Sequence, residues 1–242
     1  MRLNRLFSWI FTSLCLVAAP SVAQPVDTVV AANYAPLMIQ DDPERPGYAV
    51  EVLHEAARRC GRSIDITFMP FERAMLSLRN EKDVIMPALF FGKKQNNAFQ
   101  WLVEINSANL RVATIGDRVD TLEAARKLSS IAVESGTTAD AMLTELGFDN
   151  LVRTVAPESS GLMLAAGRVD AWFQDGNTIR NFWTQLELTE PLVFGEVLRE
   201  VPIYLVASTG LNAKVADGYR IAVENMRADG TLDKIAKRYG ND

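Results

Sequence analysis

From residue 24 onward the chain alternates short strand-like runs with longer stretches of helical periodicity. Thr28 to Ala32 reads as a strand, and Val50, Leu53, Ala57 and Cys60 then share one helical face that Gly61 is placed to end. Ile64, Ile66 and Phe68 alternate as the next strand, and Arg73 to Leu78 continue as a short helix. Val84 to Leu89 form a nearly unbroken apolar run, which suits a strand buried on both faces. The rhythm restarts near residue 115. Ser130 to Val133, Leu151 to Val155 and Val169 to Phe173 read as strands, with helices over 139–146, 159–166 and 178–186 and helix stops at Gly147 and Gly167. At the C-terminal end Tyr219, Ala222, Val223 and Met226 make one helical stripe and Leu232, Ile235, Ala236 and Tyr239 another, divided by Asp229-Gly230. This repeated alternation predicts an α/β protein of two small lobes.

The 242 residues are 48% hydrophobic and 23% charged, enough for a sizeable core, and after residue 23 no apolar run reaches membrane-spanning length. Ahead of the first strand, Arg2 and Arg5 precede an apolar stretch from Leu6 to Ala19, and Ser21-Val22-Ala23 supplies small residues. Residues 1–23 therefore read as an export signal cleaved after Ala23, which implies a periplasmic protein. Without them 23 basic residues face 30 acidic ones, a formal charge of −7. That balance argues against a nucleic-acid partner held by phosphate neutralisation. Cys15 leaves with the signal, and Cys60 alone cannot close an internal disulfide; its place on the apolar side of a helix predicts a core role. With one histidine, His54 on the polar side of its helix, neither a metal centre nor a cofactor is expected.

Several segments together resemble a known family. They are YAPL at Tyr34, PGYAVEVLHEAARRCG from Pro46, GTTAD from Gly136, GRVDAWFQD from Gly167 and MRADGTLDKIAKRYG from Met226. In this order, over nearly the whole chain after residue 23, they are similar to the bacterial family 3 extracellular solute-binding proteins, the periplasmic polar-amino-acid receptors of ABC importers. The resemblance implies a type II two-lobe fold, each lobe a mostly parallel sheet flanked by helices, joined by two hinge strands near Arg111 to Ile115 and Val201 to Val206. Lobe 1 would comprise residues 24–113 plus 200–242 and lobe 2 residues 114–199. It further implies a monomeric, non-catalytic receptor that closes on a small amine-bearing solute and hands it to a permease at the inner membrane.

Candidate site residues follow from strand ends and helix starts, where free N–H groups gather. Gly136, Thr137 and Thr138 lie between a predicted strand and helix, where they could hold an anionic group; Thr137 with Asp140 equally fits a capping box that needs no ligand. Asp175 opens a helix, so its carboxylate could pair with a ligand ammonium, as the matching aspartate does in the resembling receptors, or merely complement the helix dipole. Tyr34 and Phe71 correspond to the family's cleft aromatics, with core packing as the competing use. Arg73 could reach the same space or remain solvated.

One part of the pattern departs from the family. The resembling receptors place small polar residues after the third strand and then an arginine that clamps the ligand's carboxylate. Here an ungapped match sets Pro87, Ala88 and Phe90 at the hydroxyl positions and Gln95 at the arginine's. A neutral amide cannot replace the charged fork, a loss of roughly 1.5 to 3 kcal/mol per charged hydrogen bond unless Lys94 or Arg73 compensates. An altered ligand follows: an amine with a weaker or absent carboxylate, an aromatic compound stacked on Phe90 or Phe91, or an amino acid held through Lys94. Two other functions remain open. One is a dehydratase-like enzyme on the same fold, with Asp175 or Glu72 as general acid or base; the other is an accessory or sensing protein with no permease.

Overall fold

The computed structural model describes residues 24–92 and 97–240. The proposed export signal at 1–23, with its cleavage site, and Lys94 and Gln95 lie outside the described residues. The chain runs β1 (Val26–Ala31), α1 (Tyr48–Arg59), β2 (Ser63–Phe68), α2 (Phe71–Asn80), β3 (Val84–Phe90) and β4 (Gln100–Thr114). It continues through α3 (Leu122–Ala125), β5 (Ile131–Glu134), α4 (Thr138–Glu145), β6 (Leu151–Thr154), α5 (Pro157–Ala165), β7 (Ala171–Asp175) and α6 (Gly176–Gln185). It ends with β8 (Val193–Phe194), β9 (Arg199–Ala207), α7 (Ala213–Ala228) and α8 (Thr231–Arg238).

Among the described residues the strands form one sheet in the order β2-β1-β3-β9-β4-β7-β5-β6, with β8 beside β4. β1 pairs in parallel with β2 and β3, and β5 in parallel with β6 and β7, as expected for strands joined by crossover helices. Within the sheet, among the described residues, the two parallel sets are joined through β4 and β9, an antiparallel pair running from Gln100 opposite Ala207 to Leu110 opposite Arg199. β3 borders the C-terminal part of β9, and β7 borders the C-terminal part of β4. The sequence places crossings at Arg111 to Ile115 and Val201 to Val206; β4 begins much earlier, at Gln100. Its burial pattern is broken by exposed Glu104 and by irregularities around Val103 and Asn106, which hides the strand period.

Burial explains why these runs form strands and helices. Val84 to Leu89 are buried throughout, as a central strand with helices on both faces requires. On one face Val30, Met75, Leu78, Val84, Met86 and Val206 form a cluster beneath α2. Trp172, Leu164, Ile179 and Phe182 make its counterpart in the second set, where α5 and α6 pack. α1, α7 and α8 close the other face of the first set. There buried Asp27 accepts both Arg62 Nε, at 2.6 Å, and the Tyr219 hydroxyl, at 2.6 Å, so its charge is neutralised where water is scarce. Cys60 caps the end of α1 and is half-buried against this core rather than inside it; burial raises its thiol pKa. Gly61, Gly147 and Gly167 all have positive φ just past a helix end, the conformation that ends a helix without a Cβ penalty. Among the described residues no helix is long and apolar enough to cross a membrane.

Candidate functional site

The carboxyl ends of β1, β3 and β5 meet at a cavity of about 60 Å³. From the first strand set it is lined by Tyr34, Leu37, Met38, Phe71, Ala88, Leu89 and Phe90; from the second by Glu134, Gly136, Thr137 and Thr138. Seven of the sequence candidates thus come together: Tyr34, Phe71, Ala88, Phe90, Gly136, Thr137 and Thr138. Arg73 and Asp175 are not among the lining residues, and Arg73 is exposed on the first turn of α2. The aromatic wall is made by Tyr34 set edge-on to Phe90, with ring centroids 6.3 Å apart.

A tight loop after β1 presents Tyr34. Its backbone N–H donates to the Met38 carbonyl at 2.7 Å, and its carbonyl accepts from Leu37 and Met38. Gly47 lies against the back of this loop at φ 102°, where a Cβ would stand 2.5 Å from the Leu37 carbonyl oxygen. Only glycine fits both the angle and the space.

The N–H groups expected to hold an anion are partly spent within the chain. Gly136 N–H donates to Asp140 Oδ2 at 3.1 Å, and the Thr137 hydroxyl caps α4 by accepting from Asp140 N–H at 3.3 Å. Asp140 in turn accepts from Arg153 Nε at 2.9 Å. The capping-box arrangement is therefore present. Asp175 is buried and behaves similarly: Oδ2 accepts from the N–H groups of Asn177 and Thr178 at 3.1 and 3.0 Å, and Oδ1 accepts from Asn109 N–H at 2.9 Å. Its negative charge completes the start of α6 and braces β4 against β7.

Two further residues, Glu134 and Gln174, complete the polar part of the site, and sequence reading missed both. Gln174, 1% exposed at the end of β7, accepts its own chain's Asp175 N–H through Oε1 and donates from Nε2 to the Tyr34 hydroxyl at 3.0 Å. The signals were weak: each residue sits at a strand's carboxyl end, Glu134 two positions before Gly136 and Gln174 just before Asp175. Glu134 stands close enough to the same hydroxyl for each to shift the other's titration. Its Oε2 is buried and has no hydrogen-bond partner. Burial, with the Glu158 carboxylate adding to it, pushes the Glu134 carboxyl up to about 7, against a smaller lowering from Tyr34. The Tyr34 hydroxyl is driven well above its ordinary range by burial first and then by Glu134 and Asp175. The site is thus apolar on one side and acidic on the other. It suits a ligand that brings an apolar body and a positive, hydrogen-donating end. Among the described residues no group of three or more His, Cys, Asp or Glu is arranged to hold a metal ion.

Comparison with known proteins extends this picture to the whole chain. Residues 26–242 match the family model described as bacterial extracellular solute-binding proteins, family 3. The chain is 26% identical over 247 residues to the histidine-binding periplasmic protein of Escherichia coli K12, covering 94% of this chain and 95% of that one. It is 25% identical over 236 residues to the lysine/arginine/ornithine-binding periplasmic protein of the same strain, covering 92% and 91%. Among solved structures, a histidine kinase sensor domain with similarity to periplasmic binding proteins superposes with a TM-score of 0.79 at 18% identity, over 88% of this chain and 95% of that one. An ancestral arginine-binding protein bound to arginine gives 0.76 at 19% identity, over 89% and 98%.

Proposed function

The chain belongs to the bacterial extracellular solute-binding proteins, family 3, and from that premise we propose that it captures a small amine-bearing solute between two lobes and delivers it to an ABC permease. The lobes are residues 24–113 with 200–242, and residues 114–199. The hinge would lie where β4 and β9 pass between the lobes, since among the described residues these two strands separate the parallel sets. The curated relatives are periplasmic binding proteins; for this chain we propose the periplasm as its location, export by residues 1–23, a monomeric state and no catalysis.

The observation that carries the reading is the cavity itself. Its walls come from residues on both sides of the β4–β9 pair, and one of them, Tyr34, is hydrogen-bonded to Gln174 across that pair. Ligand in that space would touch both lobes at once, so binding and closure would be one event. Phe71 and Phe90 would flank its apolar part, the Thr138 hydroxyl would supply a polar contact, and Asp175 would add negative field behind Gln174. Ala88 leaves that wall without a hydroxyl. In the absence of the charged carboxylate clamp, we propose an amine with a reduced or missing carboxylate over an ordinary α-amino acid.

Native mass spectrometry of freshly purified protein, followed by equilibrium binding across amino acids and amines, tests this. A co-purified or titratable amine is the expected result, with a matching rise in melting temperature, since a ligand at 100 times Kd adds about 2.7 kcal/mol. Failure of every amino acid and amine to bind would overturn the proposal.

A further inference from the structure

Glu134 stands apart from the other acids around the cavity. Asp140 is held by Arg153 and by Gly136 N–H, and Asp175 by three backbone N–H groups. Both are thus committed to helix starts. Glu134 ends β5, lines the cavity, and keeps one oxygen buried with no partner. A buried acceptor left in that condition is costly unless something entering the cavity satisfies it.

We infer that Glu134 is the residue that selects the guest, its free, buried oxygen accepting from a positively charged nitrogen of the ligand. The inference rests on the capture reading above and adds to it the selecting group and a proton-linked affinity. The surroundings support a proton there. Glu158 acts on Glu134 from the start of α5, and Asp175 at the end of β7 acts electrostatically on the Tyr34 hydroxyl that Glu134 also influences. From α2, Glu72 reaches to within 3.8 Å of the point a side chain at Gly136 would occupy, and on α4 Asp140 is already matched by Arg153. The charge acting most strongly on Glu134 is thus another acid, which favours the neutral carboxyl while the site is empty. A cation at Oε2 reverses that preference. The carboxyl O–H breaks, its proton passes to solvent, and the carboxylate keeps the electron pair and accepts from the ligand N–H.

The consequence is measurable as a proton count. Calorimetry on the wild-type protein with L-arginine, agmatine and L-citrulline, whose side chain lacks the guanidinium charge, in buffers of different ionisation enthalpy, should show about one proton released per guanidinium bound at pH 6. Affinity for the two cations should be about tenfold higher at pH 8 than at pH 6, and citrulline should bind weakly with no proton release. Glu134→Gln, which keeps size and hydrogen-bonding capacity, should flatten the pH dependence and reduce the preference for the cations over citrulline. Binding of citrulline as tight as arginine, or cation binding that releases no proton, would overturn the role of Glu134 while leaving capture intact. Binding of none of the three, nor of any amino acid or amine in the wider panel, would overturn both.

Discussion

The Tyr34 hydroxyl accepts from Gln174 Nε2 at 3.0 Å, joining residues 140 positions apart in sequence and set on opposite sides of the β4–β9 pair. Removing it leaves a buried amide donor on Gln174 with nothing to bond. Tyr34→Phe should therefore cost about 1 to 3 kcal/mol in chemical denaturation. It should also shift the unliganded protein toward a more open shape, read as a larger radius of gyration by small-angle scattering. An unchanged radius would mean that this bond does not contribute to holding the lobes together.

Glu134 should also mark the stability of the empty protein. Because its folded pKa is raised to about 7, the folded state binds the proton more tightly than the unfolded chain does. The cost of ionisation is absent below the unfolded value, grows as pH rises through the interval between the two, and is complete above the folded one. Stability should then fall by up to about 3 kcal/mol from pH 4.5 to pH 7 on this account alone, other groups being equal. The difference between wild-type and Glu134→Gln denaturation midpoints isolates the contribution. The variant should gain relative to wild type as pH rises from 5 to 8.

Asp175 offers a clean separation of two roles. Asparagine keeps an acceptor for the α6 N–H groups but turns its amide nitrogen toward Asn109 N–H, so Asp175→Asn should cost about 1 to 2 kcal/mol and Asp175→Ala about 2 to 3. If the carboxylate also acts on a ligand ammonium, Asp175→Asn should lower affinity for an amine on the order of tenfold, while Asp175→Ala lowers it no further. Equal affinities in wild type and Asp175→Asn would confine this residue to capping.

Gly47 tests the scaffold behind the aromatic wall. Gly47→Ala forces a methyl group onto the Leu37 carbonyl at a backbone angle that alanine rarely adopts. The loop carrying Tyr34 must shift, and a loss of about 2 to 4 kcal/mol is expected, measured by thermal or urea unfolding. Ligand affinity should fall with it, because the displaced loop carries Leu37 and Met38 as well as Tyr34.

Much of the fold was legible because local signals and burial agree. Val84 to Leu89 read as a buried strand and is one; Gly61, Gly147 and Gly167 read as helix stops and take positive φ. The full extent of β4 was hidden, since Glu104 is exposed and irregular pairing shifts its side chains out of a simple alternation. The site was legible in outline, through residues at strand ends and helix starts, but its chemistry was not. Gly136 and Thr137 look like an anion cradle until Asp140 is seen to occupy their hydrogen bonds. Glu134 and Gln174 gave little sign in the sequence, because their importance comes from Tyr34, brought to them only by the folded sheet.

The outer strands of the sheet have a consequence for the protein at high concentration. Among the described residues β2 and β6 each leave one side without a neighbouring strand in the sheet, a pattern that in other proteins invites stacking into fibres. Both are short, and each carries an exposed charge in its interior, Asp65 on β2 and Arg153 on β6. An incoming chain would have to accommodate a charged side chain at that edge before gaining its first backbone bonds. Growth of the sheet from molecule to molecule is thereby discouraged at both ends, so crowding should favour dispersed particles over fibrils.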